Sequence, residues 1–331
     1  MLYFLRRLGF FLATLWAAVT LNFVIPRLQP GDPAEALVQR LTGEGTALDP
    51  QQVQAVRLML GIEGEGIVQQ YLDYLGAVVR GDFGPSYTYF PYSVTEVISQ
   101  ALPWTLVLVG TTTIISFVVG TLLGTWAAYR RGTRVDSVLT LGSTFLSTLP
   151  FFWIALMLIY VFAFQLQWFP ESGGYGPGST PGWNWTFISD AFQHSVLPAL
   201  SLLITGPLGW ILAMRNNMVQ MLGEDHTRFA RARGLRDRRI ALTYGGRIAI
   251  LPSVTGFALA LGGLLGGTLL VETIFNYPGL GRLLLESVNN RDYPLLQALF
   301  LLTTTGVLLG NLMADFLYGV LDPRVRREVA T

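Results

Sequence analysis

The polar side chains most densely arranged for chemistry fall in one short stretch, Glu224-Asp225-His226-Thr227-Arg228-Phe229-Ala230-Arg231-Ala232-Arg233-Gly234-Leu235. It combines closely spaced arginines with a single phenylalanine ring, a set suited to contact with lipid, water or a partner surface. The two histidines, His194 and His226, lie about thirty residues apart and make a poor metal site. Cysteine is absent, which excludes disulfides and thiolate metal ligation and says nothing about compartment. All 22 basic residues are arginine. A phosphate-binding P-loop needs a lysine to reach the β- and γ-phosphates, so the chain holds no standard ATPase site. If ATP drives its activity, the nucleotide and its Mg ion bind elsewhere. No cofactor is expected on this chain, no catalytic residue, and no nucleic acid as partner.

The elements that must position this stretch are membrane helices. Of 331 residues, 51% are hydrophobic and 13% charged, against about 25% charged in an ordinary soluble domain. A spanning helix needs about 20 mostly apolar residues. Six segments qualify, at about 8–26, 103–128, 137–164, 195–218, 251–275 and 295–321. The first begins after Arg6 and Arg7 like a secretory signal. Its apolar run is too long for one, however, and no small-x-small cleavage site follows, so a retained span is expected.

Arginine placement orients the chain. With the N-terminus cytoplasmic, 16 arginines fall inside and 6 outside, the bias expected for cytoplasmic loops. Both termini (the C-terminal one at 322–331) and the loop at 219–250 are then cytoplasmic, and residues 27–102 form a long outer region. Helices are expected there near Pro50 to Leu60 and Ile67 to Val79. The stretch from Gln165 to Asp190, rich in glycine, proline and tryptophan, reads as an irregular outer loop with its aromatics at the headgroup level.

Close helix packing in lipid relies on small residues. Gly262-Gly263 and Gly266-Gly267 in the fifth span, and Gly120 with Gly124 in the second, have that spacing. Tight packing within one bundle is expected of them; a smooth glycine face that slides during gating is the alternative. Glu272 and Asp315 sit close to span ends and read as helix-end or interhelical contacts. No carboxylate lies at the midplane where a proton-coupled transporter would need one.

The stretch 224–235 is expected to form a basic helix of about two turns, capped by Asp225 or Thr227 and stopped by Gly234 in the left-handed conformation. Residues 236–246 then lead back to Leu251-Pro252. From residue types alone three roles stay open: resting on anionic lipid headgroups, a solvated basic loop, or a lever that docks into a cytoplasmic partner.

The segment from Thr227 to Leu235, followed by Leu251-Pro252, resembles the coupling-helix loop of bacterial ABC importer permeases, and more narrowly the dipeptide/oligopeptide/nickel permease family, first of its two permease subunits. Pro30-Gly31-Asp32-Pro33, Arg80-Gly81-Asp82-Phe83-Gly84 and His194 with Leu197-Pro198 match that family's pattern. So do the run Glu272 to Arg282, Arg291-Asp292-Tyr293-Pro294, and Asn311 through Asp322-Pro323-Arg324-Val325-Arg326. The order and spacing of these motifs extend the resemblance over nearly the whole chain. Many such permeases begin the loop with glutamate; here the position is Arg228, as in the peptide branch. The resemblance implies an all-α fold of six transmembrane helices in the type I importer arrangement. It also implies an inner-membrane location, a second homologous permease, two ATP-binding subunits and an external solute-binding protein. On the same footing Asp225, Arg228, Phe229, Ala230, Arg231, Ala232, Gly234 and Leu235 would couple to the ATPase. Phe229 would seat in its groove, the arginines would pair with charge or lipid, and Gly234 with Leu235 would set the exit angle. Residues 27–102 would form a platform for the binding protein. The substrate would be a di- or oligopeptide, a nickel chelate or an oligosaccharide. A stand-alone secondary transporter is the remaining alternative.

Overall fold

A computed structural model describes residues 2–28, 38, 49–59, 66–266 and 268–321. The motifs 30–33 and 322–326, the terminal segment 322–331 and Gly267 lie outside the described residues. The described residues are helical throughout, apart from loops and one isolated bridge between Pro85 and Ser93. Among the described residues five helices are long and apolar enough to cross a bilayer, and a bent pair makes six when counted as one span. The chain divides into two compact units, Met1–Pro103 with Arg282–Thr305, and Trp104–Gly281 with Gly306–Thr331.

In the first unit, α1 (Leu2–Leu28) is a single apolar helix. The two helices expected between the first and second spans appear as α2 (Pro50–Met59) and α3 (Ile67–Arg80). α3 lies on α1, with the Thr20 and Tyr71 hydroxyls 2.7 Å apart and the Phe23 ring edge-on to Tyr71. It ends at Gly81, whose φ of 71° only glycine adopts freely. The following loop folds around Asp292, which is fully buried. The Ser86 hydroxyl (2.5 Å) and the Thr88 N–H (2.8 Å) donate to one carboxylate oxygen, and the Leu295 N–H (3.2 Å) to the other. The Tyr89 hydroxyl donates to Glu286, which Arg282 also holds. Burial, reinforced by that hydrogen bond to a carboxylate, pushes the Tyr89 phenol well above its ordinary pKa. Thus the loop that follows the Arg-Gly-Asp-Phe-Gly motif closes a polar knot on the Arg-Asp-Tyr-Pro motif, some two hundred residues away.

The second unit holds most of the remaining membrane helices. α4 (Val94–Tyr129) and α7 (Trp185–Gly223) are longer than the apolar runs that announce them. Pro103 and Pro198 mark the openings of two spans in the sequence, yet both lie inside helices. A proline costs one ladder bond and bends a helix without ending it when neighbours hold the chain. α7 starts ten residues before the expected span because the Asn184 side chain caps it, accepting from the Phe187 N–H at 2.7 Å.

The third span is not one straight helix. α5 (Arg134–Thr148) and α6 (Phe151–Leu158) meet at an 88° bend, and α6 runs on as a π-helical turn over Ile159–Gln165. Pro150 explains the break: it forces Leu149 into extended backbone (φ −78°, ψ 128°) and offers no N–H to continue the ladder. The fifth span is likewise interrupted. α9 (Leu251–Gly263) tightens into a 3₁₀ turn over Leu264–Gly266 before α10 (Leu269–Ile274). α11 (Leu280–Asn289) and α12 (Tyr293–Leu321) complete the chain and contribute to both units.

Two apolar clusters hold the second unit. One joins Leu108, Ala155, Leu197, Val271, Phe275 and Tyr277; the other joins Ala128, Met214, Met218, Ala241 and Ala249 beside the loop at 224–246.

Candidate functional site

The basic stretch forms α8, Asp225–Ala232. The expected caps are corrected. Glu224 occupies the cap position without a side-chain bond, and Asp225 lies in the first turn. Thr227, fully buried, turns inward. Its hydroxyl donates to the Glu224 carbonyl (2.8 Å) and to the Leu222 carbonyl (2.9 Å) at the end of α7. That hydroxyl fastens α8 to α7 at a fixed angle. Gly234 stops the helix as read from the sequence, with φ 75°. The Leu235 N–H reaches the Ala230 carbonyl (3.3 Å) and the Gly234 N–H the Arg231 carbonyl (2.9 Å), the paired bonds of a Schellman stop.

The two faces of α8 differ. Thr227 and Ala230 are buried against the protein. Phe229 is 71% exposed, an aromatic ring presented outward from a rigid helix. Ala232 and the arginines are exposed with it. Arg228 lies 3.7 Å from Asp225 and Arg231 3.6 Å from Asp237, both solvent-exposed pairs that contribute little. Behind α8 a cleft of about 740 Å³ is lined by Tyr129, Arg130, Arg231, Leu235, Arg236 and Asp237 among others. The chain from 237 to 249 is helical with a π-helical turn at Ile240–Gly245, and it packs against α7 and α8. The Gly245 and Gly246 backbones are buried there.

Sequence reasoning passed over one support of this region. The Arg215 guanidinium holds Asp136 in a two-pronged ion pair at 2.7 and 3.0 Å, joining α7 to the start of α5. The Gly132 N–H also donates to Asp136 at 3.0 Å. A lone carboxylate after three arginines (Arg130, Arg131, Arg134) and a lone arginine in the apolar α7 were the available signals.

The glycines divide sharply. A methyl on Gly262 would come 2.7 Å from the Gly310 Cα and 2.8 Å from the Gly306 carbonyl, so α9 and α12 cross with backbones touching. Gly263 meets nothing within 4 Å. Gly266 lies in the 3₁₀ turn, so Gly262 and Gly266 do not continue one helical face as their spacing implied. Gly120 and Gly124 do act together. A methyl on Gly124 would lie 2.5 Å from the Ile211 carbonyl, and one on Gly120 2.8 Å from that of Pro207, so α4 crosses α7 there.

In the first turn of α10, Glu272 is fully buried and makes the interhelical contact read for it. The Thr105 hydroxyl donates to it from α4 (3.0 Å), and the Gly281 N–H donates at 2.7 Å. Thr105 in turn accepts from the Leu280 N–H at 2.8 Å. Gly279 and Gly281 are glycines because the chain folds directly over this carboxylate: a methyl on Gly279 would lie 2.5 Å from the Glu272 Cδ. The Gly173 N–H donates to the Phe275 carbonyl at 2.8 Å, and Tyr175 stacks on Trp104. The glycine-rich loop is thus tied into the unit at these points, while Trp183 and Trp185 remain exposed.

Comparison with known proteins places this architecture. Residues 120–327 match the model of the family described as binding-protein-dependent transport system inner membrane component. The chain is 35% identical to the oligopeptide transport system permease protein AppB of Bacillus subtilis over 98% of both chains. It is 37% identical to the di/tripeptide transport system permease protein DppB of Pseudomonas aeruginosa, again over 98% of both. Over the same share of each it is 36% identical to the glutathione transport system permease protein GsiC of Salmonella choleraesuis. With its all-helical fold and its apolar spanning helices, the chain belongs to the peptide family of ABC transporter permeases, multi-pass components of the inner membrane.

Proposed function

We propose that this chain forms half of the translocation pore of an ATP-driven importer of di- or oligopeptides, and that α8 is its coupling lever to a cytoplasmic ATPase. The observation that carries the reading is the contrast within α8: a helix fixed at its base by Thr227 and at its end by the Gly234 stop, with Phe229 held outward. Ordering an exposed aromatic ring on a rigid helix lowers the cost of its insertion into a partner's groove. The names of the relatives, which span oligopeptides, di- and tripeptides and glutathione, support a peptide-like solute.

In this reading both termini and α8 are cytoplasmic, in keeping with 16 arginines inside and 6 outside. A second homologous permease completes the pore. Two further subunits bind and hydrolyse ATP with Mg, since a chain without lysine lacks the P-loop's phosphate contact. An external solute-binding protein delivers the substrate to the outer region at 27–102. ATP moves the pore only through its different affinity for inward- and outward-facing states. A lever must therefore transmit displacement without bending. The Arg215–Asp136 pair and the helical packing at 237–249 supply that stiffness behind α8.

The test is Phe229→Asp in the purified, reconstituted transporter, with solute-stimulated ATP hydrolysis and uptake measured together. Assembly is expected to survive while stimulation and uptake both collapse. Normal uptake would place α8 among the lipid-contacting or solvated elements and overturn the coupling role.

A further inference from the structure

We infer that α3 is an interfacial helix whose uncovered apolar face is immersed in the bilayer at the α1 end remote from Arg7. It thereby ties the outer segment that precedes α4 to the lipid. At about 100° per residue, the side chains of α3 segregate completely. Gln69, Gln70, Asp73 and Arg80 share one side, and every large apolar or aromatic residue falls in an arc of roughly 160° on the other. That arc has two halves. Tyr71 and Tyr74 meet the Phe23 ring of α1, at centroid distances of 5.1 and 5.5 Å. The adjoining half carries Val68, Leu72 and Val79, which are 73%, 55% and 87% exposed. α1 therefore covers only part of the apolar face.

The depth of α3 identifies what covers the rest. Its contacts fall on Thr20 and Phe23, inside the apolar window Arg7–Val24 of a helix long enough to cross a membrane. A helix joined to those residues lies at the level of the bilayer interface, where tyrosine is favoured. At the same level α1 itself exposes Trp16 and Leu21, so the uncovered half of α3 continues an apolar surface of a spanning helix. An amphipathic helix lying in the interface plane sinks its apolar face into the acyl boundary. The polar side has the composition such a position requires: Gln69 donates to Asp73 at 3.3 Å, and Arg80 closes the last turn.

The chain has no cysteine, so single cysteines can be introduced and spin-labelled without background from it. Labels at positions 68, 72 and 79 are compared with labels at 69 and 73. The assembled transporter, its other subunits free of reactive cysteine, is reconstituted in phosphatidylcholine–phosphatidylglycerol vesicles. Relaxation by oxygen, which concentrates in hydrocarbon, is measured against relaxation by a water-soluble nickel chelate. The oxygen-to-nickel accessibility ratio should be several-fold higher at 68, 72 and 79 than at 69 and 73. Equal, high nickel accessibility at all five positions would place the helix in water. Shielding of 68, 72 and 79 from both reagents would place a protein surface on them. Either result overturns the assignment. All five positions are exposed, so the labels displace no packed side chain.

Discussion

Two short helices in the second unit, α8 and α10, end in the same way and serve opposite ends. After α8 the chain turns through Gly234 (φ 75°), and after α10 through Asn276 (φ 51°). Each turn makes the same pair of bonds. Leu235 N–H reaches Ala230 and Gly234 N–H reaches Arg231, while Tyr277 N–H reaches Glu272 (2.7 Å) and Asn276 N–H reaches Thr273 (3.1 Å). Identical local backbone thus carries different surroundings. Around the Glu272 carboxylate the polar groups are paired internally: Glu272 and Tyr277 are buried, and Thr105, Leu280 and Gly281 complete the circuit. Around α8 the apolar ring and the charges stay outside. The first arrangement is closed within the chain; the second leaves an aromatic ring unpacked, which is the feature the proposed coupling role uses.

The strongest way to break this contrast is Glu272→Ala. It strands the Thr105 hydroxyl and the Gly281 N–H in a buried site, at about 1–3 kcal/mol for each unpaired donor. The expected loss is about 3–5 kcal/mol, read as a lowered unfolding midpoint and reduced yield of the detergent-purified transporter. If Phe229→Ala, a surface change worth within about 0.5 kcal/mol, cost as much, the two helices would not differ as described.

Next comes the support behind α8. Arg215→Ala leaves the Asp136 carboxylate, a residue 6% exposed, without its charged partner. Breaking such a pair from one side costs about 3 kcal/mol. Replacing both by Met and Leu should cost markedly less, because no buried charge remains. A double-mutant cycle on thermal stability separates the two outcomes, and an additive cycle would show the pair to be inert.

The two adjacent glycines of α9 give a smaller and sharper effect. Gly262→Val must push α9 and α12 apart, at about 1–3 kcal/mol, because any Cβ there meets the Gly310 and Gly306 backbones. Gly263→Ala meets nothing and should be neutral or slightly stabilising. Equal effects at the two positions would mean that the crossing does not limit packing. Uptake measured alongside stability tells whether the crossing also moves: a Gly262 variant that assembles but transports poorly would support the sliding reading.

The apolar spans and the α8 stop at Gly234 could be read from the chain alone, since each depends on residues close in sequence. What escaped was set by distance or by continuity. Thr105 lies 167 positions from Glu272, and Asp136 lies 79 from Arg215; no local pattern links them. Pro103 looked like a boundary because interior proline is costly, yet α4 absorbs it. Gly262-Gly263 and Gly266 looked like one face because the helix was taken to continue, and the 3₁₀ turn at Leu264–Gly266 takes that register away. Thr227, read as a cap, is instead the clamp between α7 and α8, since its hydroxyl finds carbonyls at the end of the preceding helix.

The smallest expected effect on stability is the one most useful for function. Arg228 and Asp225 form an exposed pair at 3.7 Å, and such pairs contribute about 0.5 kcal/mol or less. Arg228→Ala should therefore leave the unfolding midpoint of the transporter almost unchanged. If α8 docks into a partner, that arginine is desolvated in the complex, where loss of a charged contact weighs more than at a free surface. Stimulated ATP hydrolysis should then fall several-fold and become less sensitive to added salt, and Arg231→Ala, which loses an equally exposed pair with Asp237, tests whether the effect belongs to Arg228 alone. Equal and negligible effects from both would restrict the docking face to Phe229, and the charge around it would be solvated decoration on an apolar lever.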